Sequence, residues 1–163
     1  MVMVLIGILG AVAMSRFFDR SSVDVRTFSD QTLAMLRYGQ KMAIAQNRPV
    51  YVRLNGASIA LCFDSACSVT VPAPGAGNDA SAATLAACGG TAHWFCAAPD
   101  ASVRYASAPA TPWFYFNALG KPYAAADAPG AVDSSFAALA IQIRRSSESQ
   151  TVFVEIETGY VHQ

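Results

Sequence analysis

The sequence predicts an α+β domain, with a long, protruding N-terminal helix packed on an antiparallel β-sheet. Three observations carry this. No proline occurs before Pro49, and from Val25 onward apolar residues recur at steps of three and four. After Pro49 the apolar period changes to two, in short runs separated by Asn-Gly, Pro and Gly signals. One helix first and only strands afterwards is the order of a helix laid over a sheet.

The helix begins in Met1 to Met14, which is apolar at every position and carries no charge. Such a run has no wet face and belongs in lipid or among other helices. A bilayer core needs roughly 20 apolar helical residues, so the run is short of a span and reads as cut off on its left. It does not read as a signal peptide, because no basic region precedes it and helix-compatible sequence follows Ala13. Arg16 and Arg20 follow the run, and the positive-inside bias taken literally would hold the rest of the chain in the cytoplasm. The cysteines argue the opposite, and basic residues upstream of Met1 would remove the conflict.

Helix is expected to continue to about Asn47. Val25, Phe28, Thr32, Met35, Leu36, Gly39, Met42 and Ala43 share one face, and Arg26, Asp30, Arg37, Lys41 and Arg48 lie opposite. At ~1.5 Å per residue the whole helix would be on the order of 70 Å long, so its first half must protrude. This divides the chain into a membrane or filament-core half-helix, residues 1–23, and a domain, residues 24–163. Gly39 reads as a close-packing position against the sheet, since glycine in a helix interior costs ~1 kcal/mol relative to alanine. Asn47-Arg48-Pro49 stops the helix.

Val50–Leu54, the turn signal Asn55-Gly56 and Ser58–Phe63 read as a hairpin. A strand is expected at Ser68–Val71. Pro72 to about Thr91 has almost nothing to bury and reads as a long loop, with one helical turn at Thr84–Ala87. Further strands are expected at Val103–Ala106 and Trp113–Phe116, then a turn over Asn117–Pro122 and a loop from Tyr123 to Ser135. Leu139–Arg145 and Thr151–Glu157 close the sheet. With Ser146–Ser149 as their turn, Ile143 would face Val152, Ile141 Val154 and Leu139 Ile156, all on the side that meets the helix stripe.

The chain is neutral overall, with charged residues only 13% of 163, which offers no bulk attraction for nucleic acid. Val2-Met3-Val4-Leu5-Ile6-Gly7-Ile8-Leu9-Gly10-Ala11-Val12-Ala13 is similar to the helix of type IV pilin-like proteins just after their FTLIEL opening. Phe114-Tyr115-Phe116-Asn117-Ala118-Leu119-Gly120-Lys121-Pro122 is similar to a strand-turn motif F-x-F-x-x-x-G-R-P, and Thr158-Gly159-Tyr160-Val161 to the closing segment, of pseudopilins and minor pilins of the GspH/FimT type. The chain also resembles minor pilins of mannose-sensitive haemagglutinin pili. The resemblance implies a single-pass inner-membrane protein with its domain in the periplasm. Its partners would be other pilins or pseudopilins, met through Val2, Val4, Leu5, Ile6, Ile8, Leu9 and Val12, with Gly7 and Gly10 allowing close helix approach. The Gly-Phe processing site and the fifth-position Glu of that family would lie upstream of Met1.

Cys62, Cys67, Cys88 and Cys96 allow three pairings, and Cys62–Cys67 with Cys88–Cys96 is favoured because each closes a short loop. Free buried thiols are the alternative in a reducing compartment. Zinc is disfavoured, since the spacings do not suit it and His93 is the lone candidate nitrogen. Asp127 and Asp133 bracket a Pro-Gly loop and lack the spacing of a calcium loop, so ordinary turn roles are preferred. Catalysis finds no support, because neither histidine is set beside a nucleophile, and no cofactor motif is present. Trp113–Phe116 reads as strand core in preference to a binding platform.

Two functions compete. One is a structural subunit that helps initiate or cap a type IV pilus or a type II secretion pseudopilus. The other is a binding module at a pilus tip, an adhesin or a DNA receptor, for which Arg144, Arg145 and Lys121 are the candidate contacts beside His162. A groove for phosphates needs a denser basic cluster, so a solvated strand end is preferred.

Overall fold

The computed structural model describes residues 20–75 and 77–163. The first helix, α1, spans Arg20–Gln46, and at ~1.5 Å per residue it is about 40 Å long. It buries Val25, Phe28, Ser29, Thr32, Met35, Leu36 and Ala43, while Arg26, Asp30, Arg37 and Lys41 stay exposed on the other face. Met42 is half-buried against the same core. Asn47 ends the helix with a left-handed φ of 50°. The Asn47 N–H donates to the Ile44 carbonyl (3.3 Å) and the Arg48 N–H to that of Ala43 (3.2 Å). These are the two closing bonds of a Schellman motif, and Pro49 then forbids a further turn.

Two antiparallel sheets follow. The first holds five strands in the order β3-β2-β1-β5-β6, built from β1 (Val50–Leu54), β2 (Ile59–Cys62), β3 (Cys96–Ala97), β5 (Trp113–Phe116) and β6 (Pro122–Ala124). The second holds β4 (Arg104–Ala108), β7 (Leu139–Arg145), β8 (Glu148–Val154) and β9 (Val161–His162), in the order β4-β7-β8-β9. The helix lies across both, against β1, β2 and β5 of one and β7, β8 and β9 of the other. Their inner faces bury Val50, Val52, Ile59, Leu61, Phe114 and Phe116, together with Leu139, Ile141, Ile143, Val152 and Val154. A Cβ at Gly39 would stand 3.0 Å from a Leu61 methyl, so the absent side chain is what lets helix and sheet approach.

The strands depart from the sequence reading in four places. There are two sheets under the helix, not one. The β7–β8 turn holds two residues, Ser146 and Ser147, with Arg145 opposite Glu148, Ile143 opposite Gln150, Ile141 opposite Val152 and Leu139 opposite Val154. The expected register is thus displaced by two, which leaves every side chain on its expected face, and Ile156 falls beyond the strand, exposed. β6 and β9 form where a loop and a tail were expected, each completing a sheet edge. Ser68–Val71 makes no strand; only a bridge of Thr70 to Cys62 remains, followed by one of Pro72 to Trp94.

The stretch from Pro72 to Thr91 is, as expected, a loop with one short helix, and it is ordered by polar contacts more than by burial. Helix α2 (Ala82–Ala87) starts at Ser81, whose hydroxyl accepts from the Thr84 N–H. The buried Thr84 hydroxyl accepts from the Ala98 N–H at 3.0 Å, and the Asn78 amide donates to the carbonyls of Thr91 and Trp94. Apolar patterning has no means of registering such bonds.

Candidate functional site

The residues singled out by the sequence fall into separate places. The apolar set Val2, Val4, Leu5, Ile6, Ile8, Leu9 and Val12, with Gly7 and Gly10, lies outside the described residues. Among the described residues no helix is long and apolar enough to cross a membrane.

The candidate basic contacts do not converge. Arg145 points inward from β7 to an ion pair with Asp24 near the start of α1. Lys121 pairs with Glu157 at 2.8 Å, close to Gln40, which is about 24 Å further along the helix by its rise. The Glu157 hydrogen bond holds the Lys121 ammonium above its ordinary pKa. Arg144 faces away from the helix and stands opposite Arg104 on β4, a basic residue the sequence reading passed over. The two share a face only because β4 pairs with β7, a long-range register that local sequence does not state.

The two C-terminal segments that carried the family likeness meet at one side chain. The Gln40 amide, on α1, donates to the Gly120 carbonyl (3.0 Å) and the Thr158 carbonyl (2.8 Å). It thereby ties the β5–β6 turn and the β8–β9 turn to the helix, one turn from each sheet. Gly159 packs so tightly here that a Cβ would fall 2.4 Å from the Gly120 oxygen. Near the same end the Arg37 guanidinium donates twice to the Val161 carbonyl, at 3.0 and 2.9 Å. The motif residues therefore have a structural reading: they lock both sheets to one helix.

The outer face of the five-stranded sheet is covered. Tyr51, Trp94, Tyr115 and Tyr123 form a second apolar cluster there with Cys62, Cys88 and Cys96. The cysteines are paired Cys62–Cys67 and Cys88–Cys96, with Cα separations of 5.1 and 6.1 Å. Trp113 is partly buried against this cluster, and Phe114 and Phe116 enter the main core. The Tyr115 hydroxyl donates to Ala128 O and the Tyr123 hydroxyl to Val132 O, pinning the 125–135 loop over the face. Burial, with the nearby Asp127 charge second, pushes the Tyr115 phenol up to about 12. On the inner side the Tyr105 phenol is likewise pushed up to about 12 by burial, against the Gly56 N–H it accepts.

The two carboxylates considered for calcium have parted. Asp127 accepts from the Ala124 and Ser135 N–H groups and the Ser135 hydroxyl. Burial raises its pKa, but these bonds outweigh burial and leave it below the ordinary value. Asp133 is exposed outside that set. Asp64 plays the same stapling part inside the Cys62–Cys67 ring, its pKa lowered by the Val69 and Ser68 N–H bonds. Among the described residues no group of three His, Cys, Asp or Glu side chains is placed to hold a metal. An open cleft of about 500 Å³ between α1 and α2 is lined by Asp24, Thr27, Gln31, Asp79 and Ser81 among others; of its two hydroxyls, that of Ser81 is the α2 cap, and neither has a histidine in the lining to act as its base.

A long helix crossing two antiparallel sheets, with disulfide-tied loops outside, defines an α+β fold of the type IV pilin kind. Two crystal forms of the type IV minor pilin FimU of Pseudomonas aeruginosa share it. One matches with a TM-score of 0.56 at 12% identity over 85% of this chain and 86% of that one. The other matches with a TM-score of 0.55 at 12% identity over 84% and 90%. No family model and no curated protein sequence matches the chain.

Proposed function

We propose that this chain is a structural subunit of a pilin-like filament, a minor pilin or pseudopilin of the GspH/FimT type that helps initiate or cap a type IV pilus or a type II secretion pseudopilus. The observation that carries the reading is α1, whose apolar stripe is spent on two sheets while its N-terminal end leads back in sequence to the apolar run Met1–Met14. That run would sit in the inner membrane as the anchor of a single-pass protein. On assembly it would exchange lipid for the helices of neighbouring subunits, with residues 24–163 as the periplasmic domain. The fold neighbours are structural proteins, which supports a non-enzymatic role. The ion pairs that occupy Arg145 and Lys121 count against the DNA-receptor alternative.

The test is to fractionate cells expressing the protein from its natural reading frame, any residues encoded before Met1 included, and the Ile8→Arg variant of it, then shear and collect filaments. The full chain is expected in the inner membrane and, in small amount, in sheared filaments, and Ile8→Arg is expected in neither. Recovery of the full chain only as soluble cytoplasmic protein would overturn the proposal.

A further inference from the structure

The two sheets differ in what covers them. The outer face of the five-stranded sheet lies under the disulfide-tied loops, whereas among the described residues nothing covers the outer face of the four-stranded sheet. Strand register sets three rows on that face. Arg104, Arg144 and Ser149 make the first, Ala106, Gln142 and Thr151 the second, and Ala108, Ala140, Phe153 and His162 the third.

At one end the rings of Phe153, His162 and Tyr160 form a continuous stack. The centroids are 5.3 and 5.4 Å apart and the planes within 24° and 20°. Phe153 is 39% exposed and Tyr160 57%, so among the described residues the row presents ring surface to solvent. At the other end Arg104 and Arg144 are directly opposed, a like-charge pair that is unfavourable by itself. Neither has a carboxylate within ion-pair distance among the described residues, although one Arg104 nitrogen donates to the Ala101 carbonyl at 2.9 Å and to the Val103 carbonyl at 3.4 Å. Four residues of strand, about 14 Å, separate the arginine row from the ring row. The surface between them is small and polar, with Gln142 and Thr151 as hydrogen-bonding groups.

The geometry points to an acidic oligosaccharide as the ligand of this face, with a neutral part of a sugar ring stacked on the Phe153–His162–Tyr160 row and a uronic carboxylate held by Arg104 and Arg144. Aromatic rings accept flat C–H surface, and paired guanidinium groups accept a carboxylate in bidentate fashion. A single-stranded nucleic acid fits less well. It carries a phosphate at every unit, while the stack is flanked by Glu155, which bonds His162 at 2.9 Å, and among the described residues no cation stands between the rings and the arginines. A glycan can carry its charge at one end of this span and none at the other.

The experiment is isothermal titration of the full chain in detergent micelles with three probes: hexagalacturonate, neutral maltohexaose and oligothymidylate. Hexagalacturonate should bind, weaken with added salt, and lose about tenfold in affinity in Arg144→Ala and again in Tyr160→Ala, a loss of about 1.4 kcal/mol each. Both variants alter exposed side chains and should keep the far-ultraviolet circular dichroism of the parent, and Lys41→Ala, on the far side of α1, should bind as the parent does. Absence of hexagalacturonate binding overturns the inference, as does binding that neither variant weakens. Equal or tighter binding of maltohexaose or oligothymidylate overturns the assignment of ligand class. Binding in micelles does not depend on filament membership, so a failure here is separable from a failure of the proposed function.

Discussion

Replacing Gly159 by alanine tests whether the Gln40 junction holds the fold together. Gly159 has a φ of 64° and Gly56 a φ of 82°, so alanine at either position carries the left-handed penalty of about 1–2 kcal/mol. The sites then diverge. Around Gly56 a new Cβ meets nothing within 4 Å, whereas at Gly159 it meets the Gly120 oxygen at 2.4 Å, the Gln40 amide nitrogen at 2.7 Å and a Phe116 ring carbon at 3.1 Å. Backbone and amide must move apart, and the two Gln40 bonds, worth about 1 kcal/mol each, are lost. Gly159→Ala should therefore cost roughly 3–4 kcal/mol and Gly56→Ala about 1–2. Urea unfolding followed by the fluorescence of Trp94 and Trp113 reads this directly. With a urea slope of about 2 kcal/mol per molar, the variants' midpoints should lie about 1 M apart. Equal midpoints would refute the claim that the two turns are locked against the helix.

Tyr105→Phe should destabilise the domain by about 1–2 kcal/mol in the same assay, because the phenol donates to the Ser58 carbonyl at 2.6 Å and accepts from the Gly56 N–H at 2.9 Å. Raised phenol pKa values favour the fold below pH 10 and lose that contribution as pH rises toward about 12, so in an ultraviolet titration the Tyr105 and Tyr115 phenols should ionise only toward pH 12, as the domain loses stability. Ile141→Asp buries an unpaired charge under α1 and should abolish cooperative unfolding by circular dichroism. The Cys88–Cys96 bond closes only a short loop, so its reduction should speed hydrogen exchange between Pro72 and Ala98 while leaving β1, β5 and β7 protected.

The helix was legible because its stripe, its stop at Asn47 and its one close-packing glycine are all local signals. The β7–β8 pairing shows where such signals end. Alternation fixes which face a residue takes, and a displacement of two residues satisfies it as well as the true register does. Only the two-residue Ser146-Ser147 turn decides between them. The order of the Pro72–Thr91 stretch was illegible for a different reason: it rests on Thr84, Asn78 and Ser81, whose hydrogen-bond partners lie elsewhere in the chain. Of the basic residues, Arg145 and Lys121 looked available until their partners Asp24 and Glu157, distant in sequence, came into reach. Arg104 gained its meaning only from the strand beside it.

The placement of the contacts along α1 bears on how the domain would carry a mechanical load. Asp24 grips β7 near the helix start, Arg37 grips β9 midway, and Gln40 grips both turns beyond it. A pull on the helix along its axis, from the end where Arg20 continues into the preceding chain, therefore strains these attachments together, in shear, with the buried stripe sliding against two sheets at once. A pull across the axis would instead open them one after another. The domain is thus built to bear tension in one direction, the direction in which its helix points.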